Sequence, residues 1–151
     1  MKEAIPYIAI VIIVVLLRTF IITPVRVTGE SMNPTLTDGE IMLLYKLADI
    51  NRNDIVVINT ASTDGYIIKR IIAVPGETVE CENGSLYING KKQNDNYGYG
   101  NTDDFEKVKL GKDEYFVMGD NREWSKDSRI IGPIKKDEIL GNTSITICLF
   151  K

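Results

Sequence analysis

The sequence predicts a mainly β protein carried behind a single apolar helix at its amino terminus. Three observations predict it. The chain starts with a long aliphatic run without charge, continues in short β-branched runs separated by turn signals, and shows no later helical stripe.

Residues 4–17 are Ile, Val, Leu and Ala with one Pro and one Tyr; Arg18 interrupts the run and Thr19-Phe20-Ile21-Ile22 resumes it. Residues 4–22 approach the ~20 that a helix needs to cross a bilayer. Arg18 lies near one end, where its stem can snorkel to the headgroups, and Pro6 falls in the first turn, where a missing N–H does little harm. A cleavable leader would end at a small-x-small site, but Thr23-Pro24-Val25-Arg26-Val27 offers none. A buried core helix would show a polar face, and this run has none. A membrane anchor over residues 1–22 is the expectation. Lys2 faces Arg18 and Arg26 across it, so charge does not decide orientation.

After the anchor, Val25-Arg26-Val27, residues 40–45, residues 54–58 and the long run 66–74 read as strands. Residues 77–81, 85–88, 115–118 and 144–150 complete the set. Asn83-Gly84 and Asn89-Gly90 bracket one alternating strand, a strong tight-turn signal. Residues 135–140 hold a helical turn or two at most. Residues 91–112 are rich in Asn, Asp, Gly and Lys and read as a surface excursion, which with the hairpin before it forms a small cap. The expected organisation is an anchor over 1–22 and a β domain over 23–151, with a cap lobe at about 77–112.

The composition narrows the chemistry. Among 151 residues there is no histidine, so Ser-His-Asp and Cys-His catalysis and imidazole ligands are excluded. A net charge of −3 with mixed signs argues against a nucleic-acid partner. There are no metal-spaced cysteines and no phosphate-binding glycine loops, so neither metal nor cofactor is expected. Cys81 and Cys148 form a disulfide only if the fold brings them together; two unrelated strand cysteines are the alternative.

What remains must be built from Ser, Lys and polar loops. In the long strand, Ile67, Lys69 and Ile71 share one face and Tyr66, Ile68, Arg70 and Ile72 the other. A strand apolar on both faces is usually buried, and burial lowers a lysine pKa toward that of a usable base. The alternative is an edge strand whose two cations point to solvent. Ser31, in Gly29-Glu30-Ser31-Met32-Asn33-Pro34, stands at a strand-to-turn junction able to present a hydroxyl beside a backbone N–H; an ordinary turn serine is the bland reading. Residues 118–129 are dense in Asp, Asn, Arg and Ser, which fits a hydrogen-bonded polar loop or a solvated turn. Their cations make a calcium loop a poor fit.

In order, and behind an anchor, these segments resemble bacterial type I signal peptidases, particularly the compact Gram-positive members. Gly29-Glu30-Ser31-Met32-Asn33-Pro34-Thr35-Leu36 is similar to the nucleophile box, residues 53–57 to the next, residues 66–77 to the lysine box, and Gly119-Asp120-Asn121-Arg122 with Ser125-x-Asp127-Ser128-Arg129 to the last. The resemblance implies an antiparallel β fold shared with self-cleaving repressors. It implies a Ser-Lys serine endopeptidase that removes signal peptides after small-x-small sites. Ser31 would be the nucleophile, Lys69 the general base, and the Ser31 N–H an oxyanion donor; Gly29 stands where some members add a serine hydroxyl. Ser125 would orient Lys69, with Arg70–Asp120 and Asp127–Arg129 as supporting pairs. Val25, Val27, Met32, Leu36, Ile67 and Ile68 would wall the substrate pockets. The expected partners are signal peptides of preproteins, the lipid bilayer and the protein export machinery. The expected place is the bacterial cell membrane, crossed once, amino terminus inside and catalytic domain outside. A self-cleaving repressor would carry a helix-turn-helix instead of the apolar run. An anchored, non-catalytic export chaperone or scaffold is the other reading. For Trp124, membrane-interface contact and turn packing are both open.

Overall fold

The computed structural model of the chain describes residues 5–63 and 65–147. Helix α1, Ile5–Phe20, leads into β1 (Ile22–Arg26), β2 (Ile41–Tyr45), β3 (Ile55–Asn59) and β4 (Tyr66–Ala73). Then come β5 (Thr78–Glu82), β6 (Ser85–Ile88), β7 (Lys91–Lys92), β8 (Phe105–Lys109) and β9 (Glu114–Met118). A one-turn helix α2 (Ser128–Ile131), β10 (Ile134–Lys135) and β11 (Ile139–Ile147) follow. The fold is thus mainly β and antiparallel, as expected.

Seven strands form the main sheet in the order β1-β2-β11-β3-β4-β9-β10, and four form a second sheet in the order β7-β6-β5-β8. The junction of the two sheets is a core in which Ile72, Ala73, Phe116 and Met118 meet Val79, Cys81, Leu86, Ile88 and Leu110. Phe105 stacks on Phe116 with ring centroids 5.2 Å apart. Excluding these side chains from water supplies the drive, at about 25 cal/mol per Å² of apolar surface.

Several boundaries differ from the sequence expectation. Helix α1 stops at Phe20, and Ile22 opens β1 instead of closing an anchor. Its 16 residues rise about 24 Å. No helix among the described residues is long and apolar enough to cross a membrane. The described apolar side chains of α1, from Ile5 to Leu16 and at Phe20, nevertheless stand exposed. Its last carbonyls are tied to the domain: Lys46 Nζ donates to Thr19 O, the Lys46 N–H to Ile21 O, and Thr23 Oγ1 to Arg18 O.

The excursion at 91–112 contains two strands, β7 and β8. Within β8, Val108 pairs with Val79 and Phe105 with Cys81, so three steps on one strand oppose two on the other. That bulge breaks the alternation a strand would show in sequence. At the other end of the chain, β11 begins at Ile139, not at residue 144. Gly141 lies in it because a Cβ there would stand 2.4 Å from the Tyr45 carbonyl oxygen of β2. Cys148 lies outside the described residues, as do residues 149–150 of the expected last strand.

Candidate active site

Strand β4 is central, not an edge. Its first five residues pair with β3, from Asn59↔Tyr66 to Ile55↔Arg70, and it pairs with β9 from Arg70↔Met118 to Ala73↔Phe116. Lys69 and Arg70 are therefore both buried, 3% and 4% exposed. The reading in which they point to solvent is excluded. Because β9 reaches only as far as Arg70, residues 66–69 have no strand partner on that side.

A buried guanidinium needs a partner, and Arg70 has one. Its Nε and Nη2 donate to the two carboxylate oxygens of Asp120 at 2.8 and 2.5 Å, and Nη1 donates to Asn53 O. Asp127 is held the same way by Arg129, both contacts at 2.9 Å, and accepts a third bond from the Gly119 N–H. Burial pushes the Asp127 carboxyl up, but the Arg129 and Gly119 bonds outweigh it and leave it below its usual value. The contacts Arg70–Asp120 and Arg129–Asp127 are therefore both present.

Lys69 is the cation left over. Its Nζ donates to Ser31 Oγ at 2.8 Å and to Ile68 O at 3.0 Å. Its pKa is lowered from 10.5 to about 8, chiefly because burial disfavours the ammonium. Asp127 and Asp120 pull the other way and Arg129 adds to the lowering. The carboxylates lose that contest because each is already saturated by an arginine.

Ser31 sits in the turn between β1 and β2. The turn is clamped from behind: the Asn121 N–H donates to Ser31 O at 3.0 Å, and Asn121 Nδ2 donates to Glu30 O at 3.1 Å. Gly119 closes the same contact. A Cβ on it would stand 2.3 Å from Ser125 Oγ and 2.5 Å from Ser31 O. Sequence reasoning did not single out Asn121 or Gly119 for this work. Their place in a box shared with Asp120 was the available signal. The Gly29 N–H donates to Asp38 Oδ1 at 2.8 Å, so that donor is already engaged.

Ser125 departs from its expected role as the partner of Lys69. Its Oγ is buried with no hydrogen-bond partner, while Lys69 spends its bonds on Ser31 and Ile68. The Ser125 hydroxyl favours the charged form of Asp127 without reaching ordinary hydrogen-bond geometry.

A cleft of about 450 Å³ opens in front of the pair. Thr23, Val25 and Arg26 of β1 form one side, Tyr66, Ile67 and Ile68 of β4 the other, with Ser31 and Lys69 between. Of the expected wall residues, Val25, Ile67 and Ile68 line it. Val27, Met32 and Leu36 do not; they are at most 2% exposed and pack beneath it with Met42, Leu44 and Val57. A second depression beyond Ser31 runs along Gly29, Glu30, Thr63, Trp124 and Lys126. Trp124 is 74% exposed there, so it does not pack a turn. Among the described residues no group of three His, Cys, Asp or Glu side chains could hold a metal ion. Cys81 is free and buried, and its thiol is pushed up by burial and by Asp104.

Comparison with known proteins identifies the family. Residues 1–148 match the sequence model of the family described as signal peptidase, peptidase S26. The chain is 42% identical over 146 residues to signal peptidase I P of Bacillus subtilis subsp. natto, covering 86% of this chain and 79% of that one. It is 39% identical over 156 residues to signal peptidase IB of Staphylococcus aureus (strain Mu50 / ATCC 700699), covering 88% and 81%. The crystal structure of a signal peptidase I from Enterococcus faecalis V583 superposes with a TM-score of 0.58 at 31% identity, over 64% of this chain and 98% of that one. The chain belongs to the signal peptidase, peptidase S26 family, as a serine peptidase that cleaves signal peptides.

Proposed function

We propose that Ser31 and Lys69 carry out this cleavage as a dyad. The observation that carries the reading is a buried lysine amine 2.8 Å from an accessible serine hydroxyl, at a pKa of about 8. Neutral Lys69 accepts the Ser31 proton as Oγ attacks the scissile carbonyl, and the resulting oxyanion meets the Ser31 N–H. The ammonium then returns the proton to the leaving amine. Water, deprotonated by the same amine, releases the acyl group and restores Ser31.

The substrate lies extended between β1 and the first half of β4. Among the described residues both strands have a free edge there: β1 pairs only with β2, and residues 66–69 only with β3. An added strand would satisfy both rows of backbone groups. Val25, Ile67 and Ile68 give the cleft apolar walls suited to small side chains, which fits cleavage after small-x-small sequences. Arg70–Asp120 and Asp127–Arg129 support the site without reacting. The exposed apolar surface of α1 supports a membrane anchor; family resemblance supplies the rest of the reading, one crossing with the amino terminus inside and the catalytic domain facing out, beside the protein export machinery.

The test is mass spectrometry of a model preprotein before and after incubation in detergent micelles. Cleavage after the small-x-small site is expected, and Ser31→Ala and Lys69→Ala each abolish it. Cleavage by Ser31→Ala would remove the nucleophile, and cleavage by Lys69→Ala the base. A non-catalytic scaffold would leave the preprotein whole in every case.

A further inference from the structure

Residues 94–102, Asn-Asp-Asn-Tyr-Gly-Tyr-Gly-Asn-Thr, hold no aliphatic side chain to pack and lie in no named strand. Something other than a core holds them. The Tyr99 N–H donates to Asp120 O at 2.7 Å and the Arg122 N–H returns to Tyr99 O at 2.9 Å, a parallel bridge between Tyr99 and Asn121. Arg122, 2% exposed, gives both guanidinium ends to the Asp95 carboxylate, a further bond to Thr102 Oγ1 at 2.9 Å and one from Nε to Gly119 O at 3.1 Å. The Tyr97 ring lies over the Arg70 guanidinium, 3.8 Å from its centroid. At Gly98 the segment passes so close that a Cβ would stand 2.7 Å from Arg122 Cζ.

The loop gripped from one side in this way grips the nucleophile turn from the other. Asn121, between Asp120 and Arg122, holds Ser31 O and Glu30 O. Arg70, under Tyr97, precedes Ile71 and follows Lys69 on β4. The loop and β4 hold three ion pairs: Arg70–Asp120 and Arg129–Asp127, both buried, and Arg122–Asp95, in which the guanidinium is buried and the carboxylate is partly exposed. Only the third takes its anion from residues 94–102. Without Asp95, Arg122 is a buried cation with no counter-charge, a state proteins relieve by moving the group toward water. Asn121 would move with it, and the Ser31 carbonyl with Asn121.

We propose that residues 94–102 are a strap that positions Ser31 and Lys69 for the chemical step, with Asp95 and Tyr97 as its positioning residues. The proposal rests on the Ser-Lys reading above. None of these residues lines the cleft that holds Ser31 and Lys69. The strap therefore acts on turnover and not on substrate affinity.

The experiment measures kcat and KM on a signal-peptide substrate for the full chain in micelles, at a temperature where circular dichroism shows every variant folded. Tyr97→Ala and Asp95→Asn are expected to lower kcat on the order of ten-fold, the scale of a small misplacement of reacting groups. KM stays within about two-fold and Tyr97→Phe, which keeps the ring, restores the rate. A raised KM at unchanged kcat would overturn the proposal, as would a lowered melting point with both constants intact. Ser31→Ala is run alongside. If it still cleaves, the dyad reading fails whatever the strap does; if it is dead while Tyr97→Ala turns over normally, the strap alone fails.

Discussion

Lys69 illustrates a residue whose usefulness is a cost to the fold. Burial lowers its pKa from 10.5 to about 8, so about one chain in ten carries the neutral amine at pH 7. Cleavage should rise with pH through about 8 and fade in acid; a rate flat down to pH 5 would contradict the base role. The linked effect on stability has a definite sign. Below pH 8 both native and unfolded chains hold the proton, and the native state bears the full cost of a buried ammonium. Between about 8 and 10.5 only the unfolded chain still holds it, so this residue's contribution to stability rises with pH across that window. The size is about 3 kcal/mol as an upper estimate. Lys69→Met, with no charge to bury, should resist urea better than the parent at pH 7. The gain should shrink by pH 10. A variant less stable than the parent at pH 7 would show that the Lys69 bonds to Ser31 and Ile68 outweigh desolvation.

At the scale of the element, the loop after β9 matters for how closely it approaches the Ser31 turn. Gly119→Ala places a Cβ 2.5 Å from the Ser31 carbonyl oxygen, a backbone atom that cannot swing aside. The turn must shift, and a loss of kcat on the order of a hundred-fold is expected with the β circular dichroism spectrum retained. Wild-type turnover would mean that the loop yields and the clamp is loose. This contact was illegible in the sequence, because a glycine beside an aspartate reads first as a turn residue. The hairpin around β6 was legible. Asn83, Gly84, Asn89 and Gly90 all have positive φ, as paired residues of such tight turns require. Strand β8 was hidden by its bulge, and β11 by a glycine and an asparagine that look like turn chemistry. Lys69 was legible as a chemical oddity but not as a base. Whether β4 lies at an edge or in the middle depends on its pairing with β9, far along the chain. The strap was least legible, since its low aliphatic content marks surface and says nothing of which charge waits beneath.

The whole molecule joins an apolar helix to a β domain through very little. The helix reaches the domain by carbonyl groups near its end, those of Arg18, Thr19 and Ile21, which take bonds from Thr23 and Lys46. Among the described residues its exposed aliphatic surface makes no core with either sheet. A change in the middle of α1 should therefore alter where the protein sits without altering the site. Ile12→Asp with Val14→Asp introduces two carboxylates, each costing about 3 kcal/mol at the centre of a membrane helix. The parent chain should stay with membranes through an alkaline carbonate wash, and the double variant should be released. Released protein should still cleave a short water-soluble signal-peptide substrate at the parental rate, because Ser31, Lys69 and the clamp are untouched. Cleavage of a membrane-inserted preprotein should fall, since enzyme and scissile bond no longer share one surface. Extraction of the parent by carbonate would refute the anchor, and loss of soluble-peptide cleavage in the double variant would show that α1 supports the site itself.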